Sequence, residues 1–87
     1  MIKRVLTIKN VSGLHLRPTG MLCNEAIKYR AEIRFEKDDS FINVKSVLNV
    51  LGACIKCGDQ VELICQGPDE EEAMEALTAL IESGLGE

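Results

Sequence analysis

The one histidine of the chain, His15, stands two places before Arg17 and three before Pro18 within "SGLHLRPTG", residues 12–20. An imidazole, a guanidinium and a helix-starting proline at this spacing suit the handling of a transient anion. A helix beginning near Leu16 puts His15 at its N-cap and Pro18 in its first turn, where the missing N–H breaks no helical bond. The backbone N–H groups of Leu16 and Arg17 are then left without intrahelical acceptors at the positive helix end. A phosphoryl group carried on His15 would meet those donors, and Arg17 would add charge-assisted bonds to its oxygens. A ring-nitrogen lone pair supplies the nucleophile for attack on phosphorus, and Gly13 lets the chain turn tightly just upstream. Each residue also has a plain structural reading, His15 as a solvated cap and Arg17 as surface charge. No second His or Cys stands at ligand spacing in this loop, so neither a metal nor a cofactor is expected.

Such a loop needs elements to hold it. Ile2, Arg4, Leu6 and Ile8 alternate with Lys3, Val5, Thr7 and Lys9, the period of a strand, with Arg4 an exception near a frayed start. Leu16, Gly20, Cys23, Ala26 and Ile27 recur at helical spacing and predict a first helix of roughly 12 residues with these on its inner stripe. "AEIRFEK", the turn residues "DDS" and "FINV" predict a hairpin. "SVLNVLG" opens on an N-cap type serine, Ser46, and meets glycines at 52 and 58, a short helix followed by a loop. Val61, Leu63 and Cys65 mark one face of a fourth strand. In "PDEEEAMEALTALIESG", Asp69 and Glu72 read as a capping box, Ala73, Leu77, Leu80 and Ile81 as the inner stripe, and Gly84 as the stop. The expected fold is α+β, a βαββαβα open-faced sandwich over residues 1–87. Its sheet has four mainly antiparallel strands, with helices on one face and the other face wet.

Composition narrows the function classes. The formal charge is −4 and the basic residues are scattered, with Trp absent and Phe35, Phe41 and Tyr29 the only aromatics, which argues against nucleic-acid binding. The alternating start is unlike a signal peptide, and no apolar run approaches the ~20 residues of a membrane span, so a cytoplasmic protein without membrane insertion is expected. Without a secretory signal, Cys23, Cys54, Cys57 and Cys65 read as thiols. Val47, Leu48 and Leu51 crowd a helix too short to bury all of them, so one or two are expected in an exposed apolar patch near His15.

"GLHLRP" at 13–18 and "VKSVLNVLG" at 44–52, together with the element order, resemble HPr, the histidine-containing phosphocarrier family of the bacterial phosphoenolpyruvate-dependent sugar phosphotransferase system. The resemblance covers the entire chain. It implies that His15 accepts a phosphoryl group from phospho-Enzyme I and hands it to sugar-specific A domains, with Arg17 stabilising the group. The chain would be a substrate of enzymes rather than a catalyst with its own turnover. The resemblance also implies that Ser46 is the target of an ATP-dependent kinase, the HPr kinase/phosphorylase, with the seryl-phosphorylated form serving a catabolite-control transcription regulator. It places partner contacts at Val47 and Leu48. A phosphate at a helix N-cap is electrostatically tolerated, although a plain capping serine explains Ser46 equally well. Leu16, Thr19 and Gly20 depart from the small alanines usual in the family, and four cysteines are unusual for it.

Two other readings compete. A pure regulator acting through phospho-Ser46 alone would not need His15. A metal- or thiol-binding protein using Cys54 and Cys57 would carry its CxxC in the first strand-to-helix loop, the place His15 occupies here.

Overall fold

The computed structural model describes residues 1–87 and gives the order β1 (Ile2–Thr7), α1 (Leu16–Ala26), β2 (Glu32–Lys37), β3 (Ser40–Asn43), α2 (Val47–Gly52), β4 (Gln60–Gln66) and α3 (Glu70–Glu82). The strands lie in the order β1-β4-β2-β3, every neighbouring pair antiparallel. The apolar set predicted for β4 faces the helices. Leu63, between Arg4 and Phe35 in register, is fully buried with Phe35 in a core that also takes Leu22 and Val50 and the α3 residues Leu77 and Ile81. Burying a side chain of such size contributes about 2–3 kcal/mol. No helix is long and apolar enough to cross a membrane.

The hairpin between β2 and β3 turns on Asp38 and Asp39, both in the left-handed region at φ 50° and 65°. Two consecutive residues of that kind match the twist of a two-residue hairpin, and aspartate tolerates the conformation better than most. At the far end of α3, Leu85 N–H donates to Leu80 O at 3.2 Å and Gly84 N–H to Ile81 O at 3.1 Å, with Gly84 at φ 88°. This is the double-bonded stop that the glycine at 84 predicts.

Four local expectations are corrected by packing. The inner stripe of α1 is Pro18, Thr19, Leu22, Cys23 and Ala26, while Leu16 and Ile27 stand 68% and 62% exposed. Apolar spacing alone leaves two overlapping stripes open, and the sheet selects the one centred on Leu22. Arg4 does not fray: its guanidinium donates to Thr78 Oγ1 at 3.1 Å and Glu75 Oε1 at 2.8 Å, tying β1 to α3. The open face is not uniformly wet, because Ile64 is buried there between its cross-strand neighbours Lys3 and Arg34. Long stems of that kind shield an apolar neighbour while their charged ends stay in water.

The capping box expected at α3 does not form. Asp69 makes no side-chain cap, and its two carboxylate oxygens instead accept the N–H groups of Arg30 and Ala31, each at 2.8 Å. These donors hold its carboxyl below the usual carboxylate range. A depressed native pKa stabilises the fold above the unfolded value, and that contribution is lost as pH falls through the native one. Asp69→Asn is therefore expected to lower Tm at neutral pH by a few degrees, with the gap to the parent closing as both are acidified through and below the ordinary aspartate range. Thermal melts across that range check it.

Candidate functional site

His15 is the N-cap of α1, extended at φ −75° and ψ −174°, exposed, and without a side-chain capping bond. Its own carbonyl accepts Thr19 N–H at 2.9 Å, the first bond of the helix. The N–H groups of Leu16 and Arg17 have no protein acceptor, and Pro18 has no N–H to satisfy. Imidazole, two outward amides and the exposed guanidinium of Arg17 therefore open from one helix end. No carboxylate lies within ion-pair distance of Arg17.

The approach to His15 is held against the segment after α2. Leu14 N–H donates to Ile55 O at 2.9 Å. Gly13, at φ 67°, lies so close that a Cβ there would sit 2.7 Å from Ile55 O and 2.9 Å from Lys56 Cα. Glycine is needed here for its backbone angle and for clearance alike. On the other side, Ser12 donates through Oγ to Glu87 Oε2 at 2.5 Å and through its N–H to Glu87 Oε1 at 3.2 Å. These bonds hold the Glu87 carboxyl below its ordinary range, with His15 near enough to contribute.

A shallow depression of ≈ 310 Å³ beside the imidazole is walled by Leu14, Leu51, Cys54 and Ile55 among others. A larger groove of ≈ 490 Å³ between β3 and α2 carries no imidazole, so size does not locate the chemistry. Of the α2 residues, Leu48 is 83% exposed, Leu51 half-buried in the wall of the depression, and Val47 half-buried against the core. Ser46 caps α2, its Oγ accepting Asn49 N–H at 3.2 Å.

Burial holds the thiols of Cys23 and Cys65 in the protonated form, pushing Cys65 up to about 11. Cys54 and Cys57 are exposed, and their sulfurs face different carbonyls, Gly52 O at 3.8 Å and Lys9 O at 3.6 Å. Cys54, rather than a glycine, takes the left-handed position after α2 at φ 53°. Two buried polar side chains near His15 escaped the sequence reading, Asn10 and Thr19. A threonine three places beyond the first helical residue, where an apolar residue usually meets the one before the cap, was the only signal available.

The family profile described as "PTS HPr component phosphorylation site" matches residues 2–83. The chain belongs to the HPr family. The chain spans nearly the whole length of its HPr and Crh relatives and about a fifth of the multiphosphoryl transfer proteins it also matches. Phosphocarrier protein HPr of Neisseria meningitidis is 37% identical over 87 residues, covering 100% of this chain and 98% of that protein. HPr-like protein Crh of Halalkalibacterium halodurans is 39% identical over 82 residues, 94% of this chain and 98% of that one. Among solved structures, HPr of Thermoanaerobacter tengcongensis superimposes with a TM-score of 0.96 at 40% identity, covering 100% of this chain and 98% of that one. The open-faced sandwich expected from the element order is thus the fold of HPr, and the chain is a phosphocarrier-family protein of the phosphotransferase system.

Proposed function

We propose that this HPr-family chain accepts a phosphoryl group on His15 from phospho-Enzyme I and passes it to sugar-specific A domains. The observation that carries the reading is the exposed imidazole at the N-cap of an 11-residue helix whose Leu16 and Arg17 amides lack protein acceptors. A ring nitrogen of His15 attacks phosphorus, the bond to the donor breaks, and the donor leaves with its electron pair. The charge carried by the three phosphoryl oxygens meets the two amides, the positive helix end and Arg17. Onward transfer reverses these steps toward an acceptor. Neither a metal nor a cofactor is required, and the chemistry of turnover belongs to the partner enzymes.

The partner surface is read as Leu48 with Leu51 and Val47, of which Leu51 walls the depression beside the imidazole. An apolar side chain as exposed as Leu48 on a short helix gains from being covered. Ser46 is read as a regulatory phosphorylation site for an ATP-dependent HPr kinase/phosphorylase. About two negative charges at the start of α2 would weaken docking of an acidic partner and offer a new feature to a catabolite-control transcription regulator. These partners put its work in the cytoplasm. A second reading, regulation through phospho-Ser46 alone, leaves His15 without a task.

Incubation with Enzyme I and phosphoenolpyruvate tests the carrier reading: one acid-labile phosphoryl group per chain is the expected product. Absence of that label, with an acid-stable one formed from ATP and lost in Ser46→Ala, would favour the regulator. Arg17→Ala is expected to slow transfer by about tenfold or more, below the loss seen when a donor is removed from a buried oxyanion hole, because Arg17 is exposed. Rapid-quench transfer rates check this, with an unchanged amide NMR spectrum away from residues 12–20 showing an intact fold.

A further inference from the structure

Three polar residues are buried in this chain, Asn10, Thr19 and Thr78, and two of them bond to the carbonyls that immediately precede His15. Asn10 lies 3% exposed in the connection after β1. Its Nδ2 donates to Gly13 O while its backbone O accepts Gly13 N–H at 3.0 Å. Thr19, fully buried in the second turn of α1, donates from Oγ1 to Leu14 O at 3.1 Å.

These bonds close on one short stretch of backbone. The peptide joining Gly13 to Leu14 is held at both ends, its carbonyl by Asn10 and its N–H by Ile55 O at 2.9 Å. In the next peptide the Leu14 carbonyl is held by Thr19 Oγ1, and in the one after it the His15 carbonyl by Thr19 N–H at 2.9 Å. Three successive carbonyls ending at His15 therefore have a fixed direction. The direction of the Leu16 N–H follows from them, since it shares a peptide plane with the His15 carbonyl, and the Arg17 N–H comes one peptide later, inside α1. Asn10 Oδ1 is the one buried side-chain polar atom without a partner. An apolar residue would avoid that unsatisfied acceptor, so what Asn10 contributes is its amide N–H groups, bonded to Gly13 O and helping to hold the Glu87 carboxyl below its ordinary range.

We propose that Asn10 and Thr19 are positioning residues of the phosphoryl site, acting through the Gly13 and Leu14 carbonyls to aim the His15 ring and the helix start whose first free amide is that of Leu16. The inference rests on the carrier reading for its kinetic consequence, though not for its structural one. Neither residue touches the reacting atoms, so docking of the donor is unaffected and the loss falls on the transfer step.

The test uses the full chain with Thr19→Val, which keeps the shape and removes the hydroxyl, Thr19→Ala, and Asn10→Ala. With phospho-Enzyme I as donor, kcat for phosphoryl acceptance is expected to fall by about tenfold while KM stays within about twofold, the mark of lost orientation rather than lost binding. Thr19→Ser, which retains the hydroxyl, restores the parental kcat. Independently of any transfer, the unphosphorylated variants are expected to show exchange broadening of amide resonances at Leu14, His15, Leu16 and Arg17, with the rest of the spectrum unchanged. Thr19→Ala, which brings no methyl up to the Leu14 carbonyl as valine does, keeps the test open if another variant does not fold. Folded variants with parental kcat and sharp resonances would overturn the inference, as would a rate loss matched by the unfolded fraction alone. If the parent itself takes up no phosphoryl group, the carrier reading fails, and the broadening alone decides whether these two residues hold the loop.

Discussion

His15→Ala is expected to abolish phosphoryl uptake from phospho-Enzyme I while leaving folding stability within about 0.5 kcal/mol of the parent. The two halves of that expectation have separate causes. The chain has a single histidine, so no second imidazole stands in for the nucleophile. The side chain is exposed and makes no capping bond, so its removal takes nothing from the helix start. The carbonyl of residue 15 still accepts Thr19 N–H, and Pro18 still presets the first turn. Mass spectrometry at neutral pH reads the missing phosphoryl group, and urea unfolding reads the unchanged stability. Residual acid-labile label on the variant would mean that another group carries the phosphoryl, and the helix-end account of this protein would fall with it.

Gly13→Ala is expected to destabilise the fold by about 2–4 kcal/mol, a large share of the roughly 5–15 kcal/mol typical of a small protein. One part is conformational: the backbone at φ 67° costs an L-residue about 1–2 kcal/mol. The other is steric, because the new methyl would lie 2.7 Å from Ile55 O and 2.9 Å from Lys56 Cα. Both are backbone atoms, so relief requires the 55–57 segment to move away, which weakens the Leu14 N–H bond to the same Ile55 oxygen. A midpoint of thermal unfolding lowered by about 10 °C or more is expected for a chain of this size. Because the displaced backbone leads straight into His15, the folded fraction should also take up phosphoryl groups more slowly. Parental stability for this variant would mean that the contact between the two segments does not hold in solution.

Much of the architecture was legible because it depends on residues close together in the chain. The hairpin follows from alternation on either side of Asp38 and Asp39, the stop of α3 from Gly84, and the start of α2 from Ser46, whose hydroxyl accepts Asn49 N–H. The site was legible for the same reason. A helix started by Pro18 leaves the amides of Leu16 and Arg17 unpaired whatever lies elsewhere, and this is a property of helix ends rather than of packing.

Where local chemistry allows two outcomes, only packing chooses. Asp69 satisfies every rule for a capping residue, yet its carboxylate turns to the N–H groups of Arg30 and Ala31, a pair of donors that nothing near it in the chain reveals. Leu16 and Ile27 have the spacing of buried residues and stand in water, because the sheet meets the neighbouring stripe of α1. Ile64 is dry on the face expected to be wet, since long side chains from two other strands flank it. So the sequence by itself determined the element order, the helix end at His15 and the donors that end exposes, all set by bonds spanning a few residues. The tertiary structure alone decided how that end is aimed, through Gly13 against Ile55 and through Asn10 and Thr19, because those contacts exist only once segments distant in sequence are brought together.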